Sequence, residues 1–187
     1  MSKPEEPRIV APSVDDVDAI TDRWVSLARD QRRHGSTLLA SENRPTVREW
    51  VARSVVTGEL LVARDGEEDG TGGGDDETGD EEAVTEEDKE DGSGTIVGFV
   101  AFSIERDGYE RDCTRGVVSN LFVSPERRGE GIGSALLAAA ERELDEAGAD
   151  AIALEALADN GRARSFYVDR GYDLHRVELR KEIADEE

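Results

Sequence analysis

Residues 128 to 133 read Arg-Gly-Glu-Gly-Ile-Gly, three glycines at alternate positions between a β-branched run and an alanine- and leucine-rich one. Nothing else in the 187-residue chain constrains its fold as tightly. The preceding run, Gly116-Val-Val-Ser-Asn-Leu-Phe-Val123, ends at Ser124-Pro125 and predicts a strand. After the loop, Ile132, Ala135, Leu136, Ala139 and Leu144 recur at helical spacing and predict a helix that Gly148 stops. Glycines let successive backbone N–H groups come close to an anion, and a helix start adds its positive end. Strand, glycine loop and helix therefore make a phosphate site.

Two common phosphate loops do not fit. A P-loop closes on Gly-Lys-Ser/Thr, whereas Gly133 is followed directly by Ser134. A dinucleotide fingerprint places its glycines straight after the strand, whereas Pro125, Glu126, Arg127 and Arg128 intervene here.

The rest of the chain supplies an α/β layout. Arg8 to Ala11 predicts a short strand, and Ser13 with Asp16 resembles a capping arrangement ahead of Val14, Val17, Ile20, Trp24 and Leu27 at helical spacing. Trp24 is expected in the core. A second helix is expected from Pro45 to Val56, ended by Gly58, and strands from Glu59 to Arg64 and from Thr95 to Ile104. Further on come a strand from Ala151 to Ala156, a turn through Asn160-Gly161, a helix from Arg162 to Asp169 and an alternating last strand from Tyr172 to Ile183. This order predicts antiparallel entry into a partly parallel sheet with helices on its faces.

Charge divides the chain. Residues 65–94 hold 15 acids, one lysine and eight glycines, which account for −14 of the net −22 and leave −8 elsewhere. Such a segment buries too little apolar surface to offset its ordering entropy and is expected to be a disordered insertion between two strands of a single domain spanning 1–187. The acidic balance argues against a nucleic-acid partner. Only Lys3, Lys89 and Lys181 are lysines among 23 basic residues, and acid excess with almost no lysine is the pattern of a halophile's cytosol. No apolar run reaches the ~20 residues of a membrane helix and the N-terminus lacks a signal-peptide stretch, so a soluble cytoplasmic protein is expected. The lone Cys113 reads as an ordinary strand residue, and neither it nor His34 nor His175 has metal-ligand spacing, so no metal is expected.

Leu121-Phe-Val123, Pro125 and Arg128-x-x-Gly131-x-Gly133 resemble the acetyl-CoA signature of the GNAT superfamily of N-acetyltransferases. Asn160-x-x-Ala163-x-x-Phe166-Tyr167 and Gly171-Tyr172 follow at that family's spacing. The resemblance runs from residue 8 to about 183 and is sharpest over 117–172. It implies the GNAT fold, a central, mixed, mostly antiparallel sheet with a splayed parallel pair at its centre, flanked by helices. It also implies transfer of an acetyl group from acetyl-CoA, as co-substrate, to a primary amine, either a protein N-terminus or a small molecule. Arg128, Gly129, Glu130, Gly131, Ile132, Gly133 and Ser134 would hold the pyrophosphate through backbone N–H groups. Val123 would pair with the pantetheine arm beside Phe122, the N–H of Leu121 would face the acetyl carbonyl, and Asn160 would bond the pantetheine. A phenol within reach of the leaving sulfur can protonate it, which makes Tyr167 the candidate acid.

The base is less determined. Val117 stands where some members carry a glutamate. Glu155, twelve residues before Tyr167, matches the base of enzymes that acetylate ribosomal-protein N-termini, and is equally well read as a solvent-facing glutamate. Arg29 to Arg44 falls where the family builds its acceptor wall. A homodimer is left open. The rival reading is an acyl-CoA-binding regulatory module without turnover, for which the missing acid at Val117 speaks, and a nucleotide-binding protein is a third.

Overall fold

A computed structural model describes residues 7–65, 94–106 and 111–183. Strand β1 (Arg8–Val10) leads through Ser13 into a 3-10 turn at Val14–Asp16 and then helix α1 (Val17–Gln31). Ser13 and Asp16 form a reciprocal capping box, which satisfies donors that a helix start leaves unpaired. The expected helical face is present from Val17 onward, with Ile20, Trp24 and Ala28 buried. Val14 is on the 3-10 turn and exposed. Helix α2 (Arg44–Thr57) buries Val47 and Val51 and ends on Gly58 in the left-handed conformation.

Strands β2 (Leu60–Arg64), β3 (Ile96–Ile104) and β4 (Arg115–Val123) form an antiparallel meander, with β1 on the outer side of β2. Helix α3 (Ile132–Glu146) then carries the chain across to β5 (Ala151–Leu154), which pairs parallel to β4, and helix α4 (Gly161–Val168) follows. The sheet order is β1-β2-β3-β4-β5. Helices α1 and α2 close one face around Ile20, Val51, Phe99 and Phe122, and α3 closes the other around Val100, Val118, Leu136 and Leu144. This is the α/β mixed sheet that the resemblance implies.

Three expectations change. Residues 172–183 form no strand and are largely exposed, because no ladder partner accepts them. Without that strand, the parallel pair lies at an edge of the described sheet and not at its centre. Cys113 is an exposed loop residue before β4, not part of a strand. The expected disorder of the acidic insertion falls on 66–93, outside the described residues. Its two ends are tied together, since the Asp65 N–H donates to the Thr95 carbonyl at 3.0 Å and Arg64 Nη1 to the Gly94 carbonyl at 3.1 Å.

A buried ion pair locks the first turn to β2. Arg64 Nη2 meets Asp16 Oδ2 at 2.5 Å, with both side chains almost wholly buried, and Arg64 Nε has no partner.

Candidate functional site

Strand β4 is held on both sides over only part of its length. Against β5 its register runs from Arg115 opposite Ala151 to Val118 opposite Leu154 and stops there, because β5 ends. Against β3 the pairing continues to Val123, opposite Gly98. From Ser119 to Val123, then, the edge of β4 facing away from β3 has no strand beside it among the described residues. Ser119 is also the extra residue of a β-bulge, since Asn120 faces Ala101 and Val118 faces Phe102. The bulge puts Val118 and Leu121 on the same, α3-facing side of the sheet, which strict alternation would not do.

The open edge runs into the glycine loop. Gly129 and Gly131 have φ of +95° and +88°, the left-handed region that glycine enters without strain, and a Cβ at either would meet nothing within 4 Å. Gly131 is the N-cap of α3 and no side chain caps that end. The N–H groups of Ser134 and Ala135 bond the Gly131 carbonyl at 2.9 and 3.0 Å, so those of Ile132 and Gly133 are the ones the helix leaves without a partner, which suits an anion.

The loop's own side chains are committed elsewhere. Arg128 Nε donates to the Val123 carbonyl at 3.0 Å and its Nη2 meets Asp30 at 3.2 Å, so Arg128 braces the end of β4 and the Val123 carbonyl is already bonded. Arg127 pairs with Glu130 at 2.8 Å and with Asp65, which draws the loop's one carboxylate onto a cation. Those carboxylates raise the Arg127 pKa, Glu130 first and Asp65 next. Phe122 is buried against Phe99 with ring centroids 5.9 Å apart, and the register that bonds the Ser124 N–H to the Val97 carbonyl turns the Phe122 backbone toward β3 as well, so of the expected cofactor residues of β4 only Leu121 and Val123 turn their backbone to the open edge.

Helix α4 brings the aromatic residues to the same place. Asn160 is its N-cap, accepting from the Ala163 N–H at 3.1 Å, which commits its Oδ1 to the helix and leaves Nδ2 as the donor. Phe166 lies over the start of α3, its Cζ 3.7 Å from where a Cβ of Gly133 would sit. Tyr167 packs on the cluster that includes Leu121, Val123 and Leu154, between the edges of Phe166 at 5.2 Å and Tyr172 at 5.8 Å. Burial pushes the Tyr167 pKa up, and among the described residues nothing bonds its hydroxyl. The Tyr172 hydroxyl, by contrast, donates to Glu141 Oε1 at 2.8 Å. Burial first, and the Glu141 carboxylate next, push its pKa above the ordinary phenol range. Of the two phenols, only that of Tyr167 is uncommitted.

Glu155 is exposed and directly follows β5, where β4 and β5 cease to pair. Val117 is half-buried within the paired part of β4. The arginines of 29–44 are spent within the chain, Arg29 on Ser41, Arg32 on the Leu38 carbonyl, Arg33 on Asp30 and Arg44 on Asp22.

One residue escaped the sequence reading. Arg170 stacks over the Phe166 ring at 3.7 Å, donates to the Phe166 carbonyl at 2.7 Å and bonds Ser134 Oγ in the first turn of α3. A cation thus stands beside the open N–H groups. Only the packing of α4 on α3 reveals it, as no motif joins positions 134 and 170.

Among the described residues no cluster of three or more His, Cys, Asp or Glu could hold a metal, and no helix is long and apolar enough to cross a membrane. The model of the acetyltransferase (GNAT) family matches residues 57–172, more than half of the chain. The chain belongs to that family.

GNAT proteins use acetyl-CoA as co-substrate, and the donor set here fits such a ligand, with open backbone donors and space where a phosphate would lie. Solved structures show the same fold. A GCN5-related N-acetyltransferase from Ralstonia eutropha JMP134 is 20% identical with a TM-score of 0.62, over 95% of this chain and 97% of that one. An acetyltransferase from Trypanosoma brucei is 14% identical with a TM-score of 0.58, over 95% and 100%. A transcriptional regulator from Bacillus halodurans C-125 is 16% identical with a TM-score of 0.59, over 95% and 99%. No curated protein matches the sequence.

Proposed function

We propose that this GNAT protein moves an acetyl group from acetyl-CoA to a primary amine by direct attack, with a peptide N-terminus as the favoured acceptor. The observation that carries the reading is the open edge of β4, which leads from Ser119 to Val123 into the uncapped start of α3. A pantetheine arm can lie on that edge as a guest strand while its pyrophosphate meets the N–H groups of 129–133 and the Arg170 guanidinium beside Ser134.

In the reaction the amine nitrogen bonds to the thioester carbon and the carbon–sulfur bond breaks. The N–H of Leu121, fixed in the strand, faces the oxygen on which charge develops, and a preoriented donor of this kind lowers the barrier. Tyr167 gives its proton to the departing sulfur. Its raised pKa keeps the phenol protonated at neutral pH, and its hydroxyl is committed to no other described group. Glu155 takes the amine's proton through a water at the mouth of the split strands.

Thiol release from acetyl-CoA, followed over a panel of peptides and small amines, tests this. Tyr167→Phe is expected to lower kcat by about 10²- to 10⁴-fold with little change in acetyl-CoA affinity. Unchanged turnover removes Tyr167 from the chemistry. Tight acetyl-CoA binding with no release to any acceptor favours the regulatory module, a reading that Val117 in place of an acid supports. The acid excess and near-absence of lysine support work in a salt-rich cytoplasm. Greatest stability in low salt would count against that.

A further inference from the structure

Arg127 and Arg128 lead into the glycine loop, and each guanidinium is drawn onto a carboxylate from a distant element, Asp65 directly after β2 for Arg127 and Asp30 on α1 for Arg128. Asp30 is the unexpected one. It lies in the last turn of α1, where the helix macrodipole disfavours a negative charge. An acid that breaks a local rule of its own helix marks a place where a distant requirement outweighs the local one.

The contacts of Asp30 show what that requirement is. Its Oδ2 accepts from Arg128 Nη2 at 3.2 Å and its Oδ1 meets Arg33 Nη1 at 2.9 Å, so both oxygens are held. Nε of the same Arg128 guanidinium donates to the Val123 carbonyl at 3.0 Å. That carbonyl shares a peptide unit with the Ser124 N–H, which donates to the Val97 carbonyl on β3 at 2.8 Å. The last peptide unit of β4 is therefore held from both sides, by the sheet and by an arginine that Asp30 orients. The Val123 N–H, one unit earlier, faces the open edge where a pantetheine arm can lie.

A carboxylate beside a phosphate site can act in two opposite ways. It can compete with the anion for Arg128, or it can hold Arg128 where the end of the strand needs it. The Nε bond to Val123 favours the second, because a guanidinium swung onto a phosphate abandons that carbonyl. We propose, on the acetyl-CoA reading of the site given above, that Asp30 is a positioning residue for the cofactor, fixing the end of β4 through Arg128 before acetyl-CoA arrives.

Isothermal titration of acetyl-CoA into the full chain, with a thermal melt of each variant, tests this. Without Asp30, Arg128 has to be ordered as the cofactor binds, and ordering one such side chain corresponds to roughly a 2- to 12-fold rise in Kd. Asp30→Asn is expected to show that rise while melting within about 4 °C of the wild type, since relief at the helix end offsets the lost half-exposed pairs. Asp22→Asn removes the same charge from the same helix and eases repulsion of an anionic ligand, so its Kd should be unchanged or lower. On an Arg128→Ala background, Asp30→Asn should add nothing. Tighter binding by Asp30→Asn shows competition for the guanidinium and overturns the proposal. So do an equal loss in Asp22→Asn, a full further loss on the Arg128→Ala background, or a larger drop in melting temperature, which marks a purely structural pair. A wild-type chain that does not bind acetyl-CoA overturns the acetyl-CoA reading itself, whereas wild-type binding that Asp30→Asn leaves intact overturns only the role of Asp30.

Discussion

Helix α3 has a left-handed glycine at each end, and the pair separates what the loop contributes to binding from what it contributes to folding. Gly131 has φ +88° and Gly148 φ +85°, and a Cβ at either meets nothing within 4 Å. Gly131→Ala and Gly148→Ala therefore face the same cost, that of holding an L-residue in the left-handed region, about 1–2 kcal/mol. For a chain of this length that lowers Tm by roughly 2–8 °C. Their functional consequences differ. Relief of strain at Gly131 rotates the peptide units that present the first N–H groups of α3, whereas relief at Gly148 disturbs the far end of the helix. Loss of one hydrogen bond to a charged group costs about 1.5–3 kcal/mol, which is roughly a 10- to 150-fold rise in the Kd for acetyl-CoA. Thermal melts and isothermal titration with acetyl-CoA read both quantities. Equal loss of affinity in the two variants, or a Gly131→Ala protein that melts lower but binds as well as the wild type, would refute the assignment of the phosphate site.

Asp16→Ala leaves the Arg64 guanidinium buried without its carboxylate and is expected to cost about 3–5 kcal/mol in urea unfolding, whereas Asp22→Ala, which breaks an exposed pair with Arg44, should cost less than about 1 kcal/mol. Gly98→Ala sets a Cβ 2.8 Å from the Phe122 carbonyl oxygen and 3.0 Å from Leu136 Cδ1. A loss of about 1–3 kcal/mol together with weaker acetyl-CoA binding is expected, since Gly98 is the register partner of Val123. Both Tyr167 and Tyr172 have folded pKa values above the unfolded phenol value of about 10, so the stability they contribute is whole below about pH 10 and falls as pH rises through the folded values. Urea midpoints at about pH 8 and about pH 11 should accordingly fall more for the wild type than for Tyr172→Phe, and an equal fall contradicts the burial argument.

The site was legible where its geometry is local. Glycines 129, 131 and 133, the helix that follows them, the Ser13–Asp16 capping box and the Asn160 cap all depend on neighbours within one turn of chain, and periodicity reports such neighbours directly. The candidate acid Tyr167 emerged from motif spacing, but its free hydroxyl and the committed one of Tyr172 are properties of how α4 packs.

By itself the sequence determined an α/β chain with one glycine loop between a strand and a helix, and its short apolar runs marked every described strand. The tertiary structure decided what pairing alone can decide. Whether β4 has a neighbour beyond Val118 depends on where β5 stops, and whether Arg170 stands at Ser134 depends on α4 meeting α3 across 36 residues. The tail shows the physical reason most clearly. Alternation in 172–183 specifies two faces, but a strand exists only when another strand accepts its hydrogen bonds, and no partner within the described chain does so.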